Sequence, residues 1–131
     1  MAPAGIVPSS RMVPGISRQI ITFHFYNWWT HLQRPDAKGA YPSGNYNRDS
    51  LKRLLQEVRQ VRDRHHIHVY IGEVAIRTDH PNAPRFLRDF TDLCEELDIP
   101  LTVHAFREAL VWNYEKNPSA WSVLTRWLKR R

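Results

Sequence analysis

The sequence predicts an α/β fold: part of a (β/α) barrel, about three strand–helix units with parallel strands over 20–26, 67–76 and 101–106. Three observations predict it. Runs rich in β-branched and aromatic residues alternate with amphipathic stretches, and strand–helix–strand crossovers give parallel neighbours. The connections leaving the strands are long and those entering them are short, as in barrels whose loops after the strands build the active site. Finally, the run Ile67-His68-Val69-Tyr70-Ile71-Gly72-Glu73-Val74 carries a carboxylate near its downstream end, where such folds gather their ligands. Acidic side chains are almost never fully buried without a partner. Glu73 is therefore paired, solvated in a cleft, or catalytic.

Residues 1–19, with Pro3, Pro8, Pro14, Gly5 and Gly15, read as loop or linker, and 20–131 as the barrel portion. In the first strand, alternation sets Thr22, His24 and Tyr26 on one face and Ile21, Phe23 and Phe25 on the other. A connection of about twenty residues follows, long enough to suggest function. Its Trp28, Trp29, Tyr41 and Tyr46 are suited either to stacking on a sugar or base or to covering the sheet end. Asn47 or Asp49 can cap the next helix, whose apolar face is Leu51, Leu54, Leu55, Val58 and Val61. After the second strand comes a turn at Pro81 to Pro84. A helix packed through Phe86, Leu87, Phe90, Leu93, Cys94 and Leu97 follows, and Pro100 leads into the third strand. Ser119 can cap a last helix packed through Trp121, Leu124, Trp127 and Leu128.

Composition narrows the class. Of 131 residues, 42% are hydrophobic and 24% charged, a globular rather than disordered balance. The single cysteine, Cys94, excludes an intramolecular disulfide and falls on an apolar stripe, as a buried thiol would. The net charge of +6 comes from cations spread along helices among acids, apart from the tail Arg126, Lys129, Arg130 and Arg131. Neither a nucleic-acid nor a membrane partner is expected, and no signal peptide is visible. A full barrel takes about 250 residues in eight units. Three strands alone leave open edges, so the chain is expected to pair with a complementary barrel half, to self-associate, or to be part of a longer product.

His24-Phe25-Tyr26, Tyr41-Pro42, Ile71-Gly72-Glu73, Arg85-Phe86-Leu87-Arg88-Asp89 and Val103-His104-Ala105-Phe106-Arg107-Glu108 carry a resemblance in order and spacing. From about Ile20 to Trp112 the chain resembles the C-terminal part of cellulase-type glycoside hydrolases of family 5. The resemblance implies a retaining β-glycan hydrolase with Glu73 as nucleophile, and a β-linked polysaccharide or oligosaccharide as partner. Of the substrate-binding residues it implies, His24 and Tyr26 match the family's His-x-Tyr pair, and Trp112 a family tryptophan; Trp28 is the further expected sugar contact. Val74 stands where the family has an aromatic residue, and Ala109 where it has a tryptophan. The family's acid/base glutamate lies in an Asn-Glu-Pro motif, which does not occur here. Little or no hydrolysis is thus expected of the chain alone.

Retaining hydrolysis needs two carboxyls about 5–5.5 Å apart, one attacking and one exchanging a proton with the leaving group. Glu73 fits the first role, with Tyr26 as a hydrogen-bond donor that keeps it ionised. The alternatives are a Glu73 paired with Arg107 or His104, and a His24 and Tyr26 that are simply satisfied within the sheet. Glu108 is a geometric alternative for the acid, although a pair with Arg107 or a helix end suits it better. No cofactor or metal is implied. The competing class is a metal hydrolase using His24, Glu73 and His104 from three strands. A non-catalytic fragment that binds glycan or a complementary half is the remaining reading.

Overall fold

The computed structural model describes residues 19–105 and 107–130; the expected linker over 1–19 lies outside them except for Gln19. Two parallel strands, β1 (Ile20–Phe25) and β2 (His68–Val74), form the sheet. Helices α1 (Arg48–His65) and α2 (Ala83–Glu96) cover one face of it, α1 packing on α2, and α3 (Pro118–Lys129) packs on α2. Ile21, Phe23 and Phe25 of β1 and Val69, Ile71 and Val74 of β2 are buried against Leu51, Leu55 and Val58 of α1 and Phe86, Phe90 and Leu93 of α2. Each such side chain contributes roughly 1.5–3 kcal/mol of burial. Phe25 and Phe90 meet edge to face at 4.9 Å, which fixes where α2 crosses the strand ends. The other face is open: Ile20 is 65% exposed and His24 projects from the same side.

The third expected strand, 101–106, is not a regular strand among the described residues. A single parallel bridge joins Leu101 to Ile71. Beside it run Thr102 N to Ile71 O and His104 N to Val74 O, both 2.9 Å. The segment therefore lies parallel to β2 and donates only from alternate residues, as an edge with one neighbour does. Cys94 is buried, as its stripe requires.

The helix ends follow capping chemistry. Asn47 accepts from Ser50 N at 3.0 Å and starts α1. The last helix is capped by Asn117, which accepts from Ala120 N at 3.1 Å, and not by Ser119. Pro118 explains the difference: it takes the first helical position, where its missing N–H costs nothing, and so leaves the cap to the residue before it. Asn117→Ala is expected to cost about 1 kcal/mol in urea denaturation. Ser119→Ala should change stability by less than about 0.5 kcal/mol. The reverse order would refute the assignment. Among the described residues no helix is long and apolar enough to cross a membrane.

Candidate active site

Strict alternation along β2 would put Glu73 on the buried face with Val69 and Ile71. It does not lie there, because the ladder slips between Phe23 and His24: Phe23 pairs with Ile71, but His24 pairs with Glu73. Gly72 is the extra residue of this bulge, and bulges re-aim side chains in this way. Both Gly72 and Glu73 consequently face the open side, and Val74 is again buried. A methyl group on Gly72 would stand 3.1 Å from both His24 Nε2 and Thr22 Cγ2, so the missing side chain leaves His24 room to lean over the bulge.

Three groups meet there. Tyr26 Oη donates to Glu73 Oε2 at 2.8 Å. His24 Nδ1 stands 3.6 Å from the same oxygen, an ion pair whenever the imidazole is protonated, with the His24 and Glu73 side chains 41% and 35% exposed. Burial, followed by the hydrogen bond to Glu73 and that carboxylate's charge, pushes the Tyr26 phenol well above the usual tyrosine range. The phenol therefore keeps its proton, and its donation to Glu73, beyond the pH at which an ordinary tyrosine ionises. Glu73 is thus not paired with Arg107 or His104. Arg107 grips Glu115 through two bonds, 2.7 and 3.0 Å, and His104 Nε2 lies 3.7 Å from Glu108.

An aromatic rim borders the carboxylate. Tyr26 and Trp29 meet edge to face at 5.6 Å, Trp29 and Trp112 lie 6.3 Å apart, and Trp112 contacts His104 at 5.3 Å. Trp28 is the correction. Expected as a sugar contact, it is only 7% exposed and packs among Phe25, Tyr41, Tyr46 and Phe86 in the core. The chain turns there into one π-helical turn, Trp29–Gln33, which directs Trp28 inward and leaves its neighbour Trp29 39% exposed beside Tyr26. Adjacent tryptophans cannot be told apart by composition; only the turn decides which faces out. Among the described residues no group of three or more His, Cys, Asp or Glu side chains is arranged to hold a metal ion.

No protein-family model matches this sequence, and no curated protein sequence matches it. Solved structures do. The chain is similar to a GH5-4 broad specificity endoglucanase from Ruminococcus champanellensis with bound cellotriose, with TM-score 0.60 and 12% identity, over 80% of this chain and 34% of that one. It is likewise similar to the cellulose synthase subunit Z of Clostridioides difficile, with TM-score 0.60 and 12% identity, over 86% of this chain and 42% of that one. The chain thus spans between a third and about two fifths of the length of these proteins. The likeness is one of fold: a mixed α/β chain with a parallel sheet that matches part of a glycoside hydrolase-type barrel.

Proposed function

We propose that this chain is a β-glycan-binding portion of a cellulase-like barrel that carries the nucleophile of a retaining glycosidase site. The observation that carries the reading is the Tyr26–Glu73 hydrogen bond of 2.8 Å on the open face, at the C-terminal strand ends, beside a half-exposed tryptophan. In this reading Glu73 attacks the anomeric carbon and Tyr26 orients it. His24 contacts sugar hydroxyls, and Trp29 and Trp112 stack on the rings. That one structural neighbour is described with bound cellotriose supports a β-glucan as the ligand class. Among the described residues no second carboxyl is paired with Glu73, so the chain alone is expected to turn over a β-glucan negligibly.

The nucleophile is testable without an acid. A 2,4-dinitrophenyl 2-deoxy-2-fluoro-β-cellobioside has a leaving group that departs unprotonated. Attack forms the Glu73 Oε–C1 bond as the C1–O(aryl) bond breaks and dinitrophenolate leaves. Intact mass is expected to show one fluorocellobiosyl adduct, mapped to the Glu73 peptide and absent in Glu73→Gln. An adduct that persists in Glu73→Gln, or none in the unaltered protein, would refute the nucleophile. A second reading, a module that pairs with a complementary barrel half, is favoured by one observation. An apolar groove of about 320 Å³ runs along the 101–105 edge between Leu101, Val103, Ala105, Trp121, Leu124 and Trp127. Sedimentation separates the two readings: a strict monomer that binds cello-oligosaccharide favours the first.

A further inference from the structure

Gln33 is completely buried, and both polar atoms of its amide are used. Nε2 donates to Phe25 O at 2.7 Å and to Ala75 O at 2.9 Å, and Oε1 accepts from Trp28 N at 3.1 Å. The first carbonyl lies one residue before Tyr26 and the second two residues after Glu73. The backbone oxygen of Gln33 also accepts from Trp112 Nε1, at 3.4 Å. One residue of the π-helical turn thus ties together the end of β1, the chain just beyond β2, the turn that presents Trp29, and the segment that bears Trp112.

The chemistry of the amide is specific to this place. Two strand-end carbonyls need two donors, and the turn's first N–H needs an acceptor; a primary amide supplies both from one rigid plane. A carboxylate would turn oxygens toward two carbonyl oxygens, and an apolar side chain would make none of these three bonds. A fully satisfied buried amide also fixes geometry, which apolar packing alone does not. We infer that Gln33 is a positioning residue of the candidate site, setting the separation of Tyr26 from Glu73 and placing Trp29 and Trp112 against that pair. The inference rests on the glycan reading for its purpose, while the geometry it concerns needs no ligand.

A double-mutant cycle separates positioning from mere support. Tyr26→Phe alone removes a hydrogen bond to a carboxylate and is expected to raise the unfolding equilibrium constant about tenfold. In a Gln33→Met background the same change should have less than a twofold effect, because the phenol no longer stands against Glu73. Leu55→Ala, a core truncation remote from the amide, serves as the control and should leave the tenfold effect of Tyr26→Phe intact. A tenfold effect that survives Gln33→Met would overturn the assignment. If Gln33→Met does not fold, Gln33→Asn carries the comparison. Its shorter stem reaches at most one of the two carbonyls, and the effect of Tyr26→Phe should fall to about threefold; an undiminished effect there overturns the assignment equally. Cellotriose titration supplies an independent arm, with binding expected to weaken at least fivefold in whichever variant folds. If the unaltered protein binds no cellotriose, the proposed function falls and the cycle still decides the role of Gln33.

Discussion

Replacing Trp28 by alanine is expected to destabilise the fold by about 3–5 kcal/mol, as truncation of a buried large aromatic does. Replacing Trp29 is expected to change stability by less than about 1 kcal/mol. Trp28 sits where β1 leaves the sheet and touches Phe25 at 5.8 Å, Tyr46 at 5.3 Å and Phe86 at 6.3 Å, so its loss opens a cavity lined by rings that cannot collapse together. Among the described residues the Trp29 ring meets the rings of Tyr26 and Trp112 at the rim, and it is 39% exposed. The two variants should therefore separate cleanly: urea denaturation shifts for Trp28→Ala, and cello-oligosaccharide binding falls at least tenfold for Trp29→Ala, as loss of a stacking face implies. Equal loss of stability in both would contradict the division between core and rim.

The second large effect is alkaline. Tyr41 and Tyr114 are both buried. Burial raises the Tyr41 phenol, reinforced by its hydrogen bond to Asp89 Oδ2 at 2.7 Å and by that carboxylate's charge. Burial also raises the Tyr114 phenol, which donates to Ile76 O at 2.9 Å while its oxygen accepts from Ile76 N. In the unfolded chain a phenol ionises near pH 10. Both groups therefore keep their protons in the folded state after the unfolded state has begun to lose them. Stability from this source is complete below about pH 10 and falls as pH rises beyond it, by roughly 1.4 kcal/mol per pH unit for each tyrosine. Tyr26 is raised in the same direction but is partly exposed, so it adds less. Urea midpoints measured between pH 8 and pH 11.5 should stay flat and then fall. A flat profile throughout would mean that neither phenol is held in its neutral form.

Much of this architecture was legible in the residues. The helical spacing of Leu51, Leu55 and Val58, and of Phe86, Phe90 and Leu93, marked α1 and α2 because an apolar stripe must be buried against a neighbouring element. The alternation of Ile21, Phe23 and Phe25 with Thr22, His24 and Tyr26 marked an open face, and burial follows it. The third strand is the exception, reduced to one bridge and its flanking hydrogen bonds to β2. Leu101-Thr102-Val103 has strand character, but such character expresses fit to a pleated, half-buried surface and says nothing about whether a second neighbour is present. Gln33 had no sequence signal. A lone glutamine among loop aromatics is ordinary, and only the fold brings Phe25 O and Ala75 O within its reach.

The slip at Gly72 also turns β2 into a strand with two phases. Before it, odd-numbered side chains are inward; after it, even-numbered Val74 and Ile76 are. Deleting Gly72 would restore an unbroken alternation without turning Glu73 inward, and would leave the carboxylate opposite His24, where the bulge already puts it. The glycine is in this sense a phase change rather than a spacer. It lets the inward face pass from odd to even positions while the carboxylate keeps its place across from His24, so the strand changes phase without losing register.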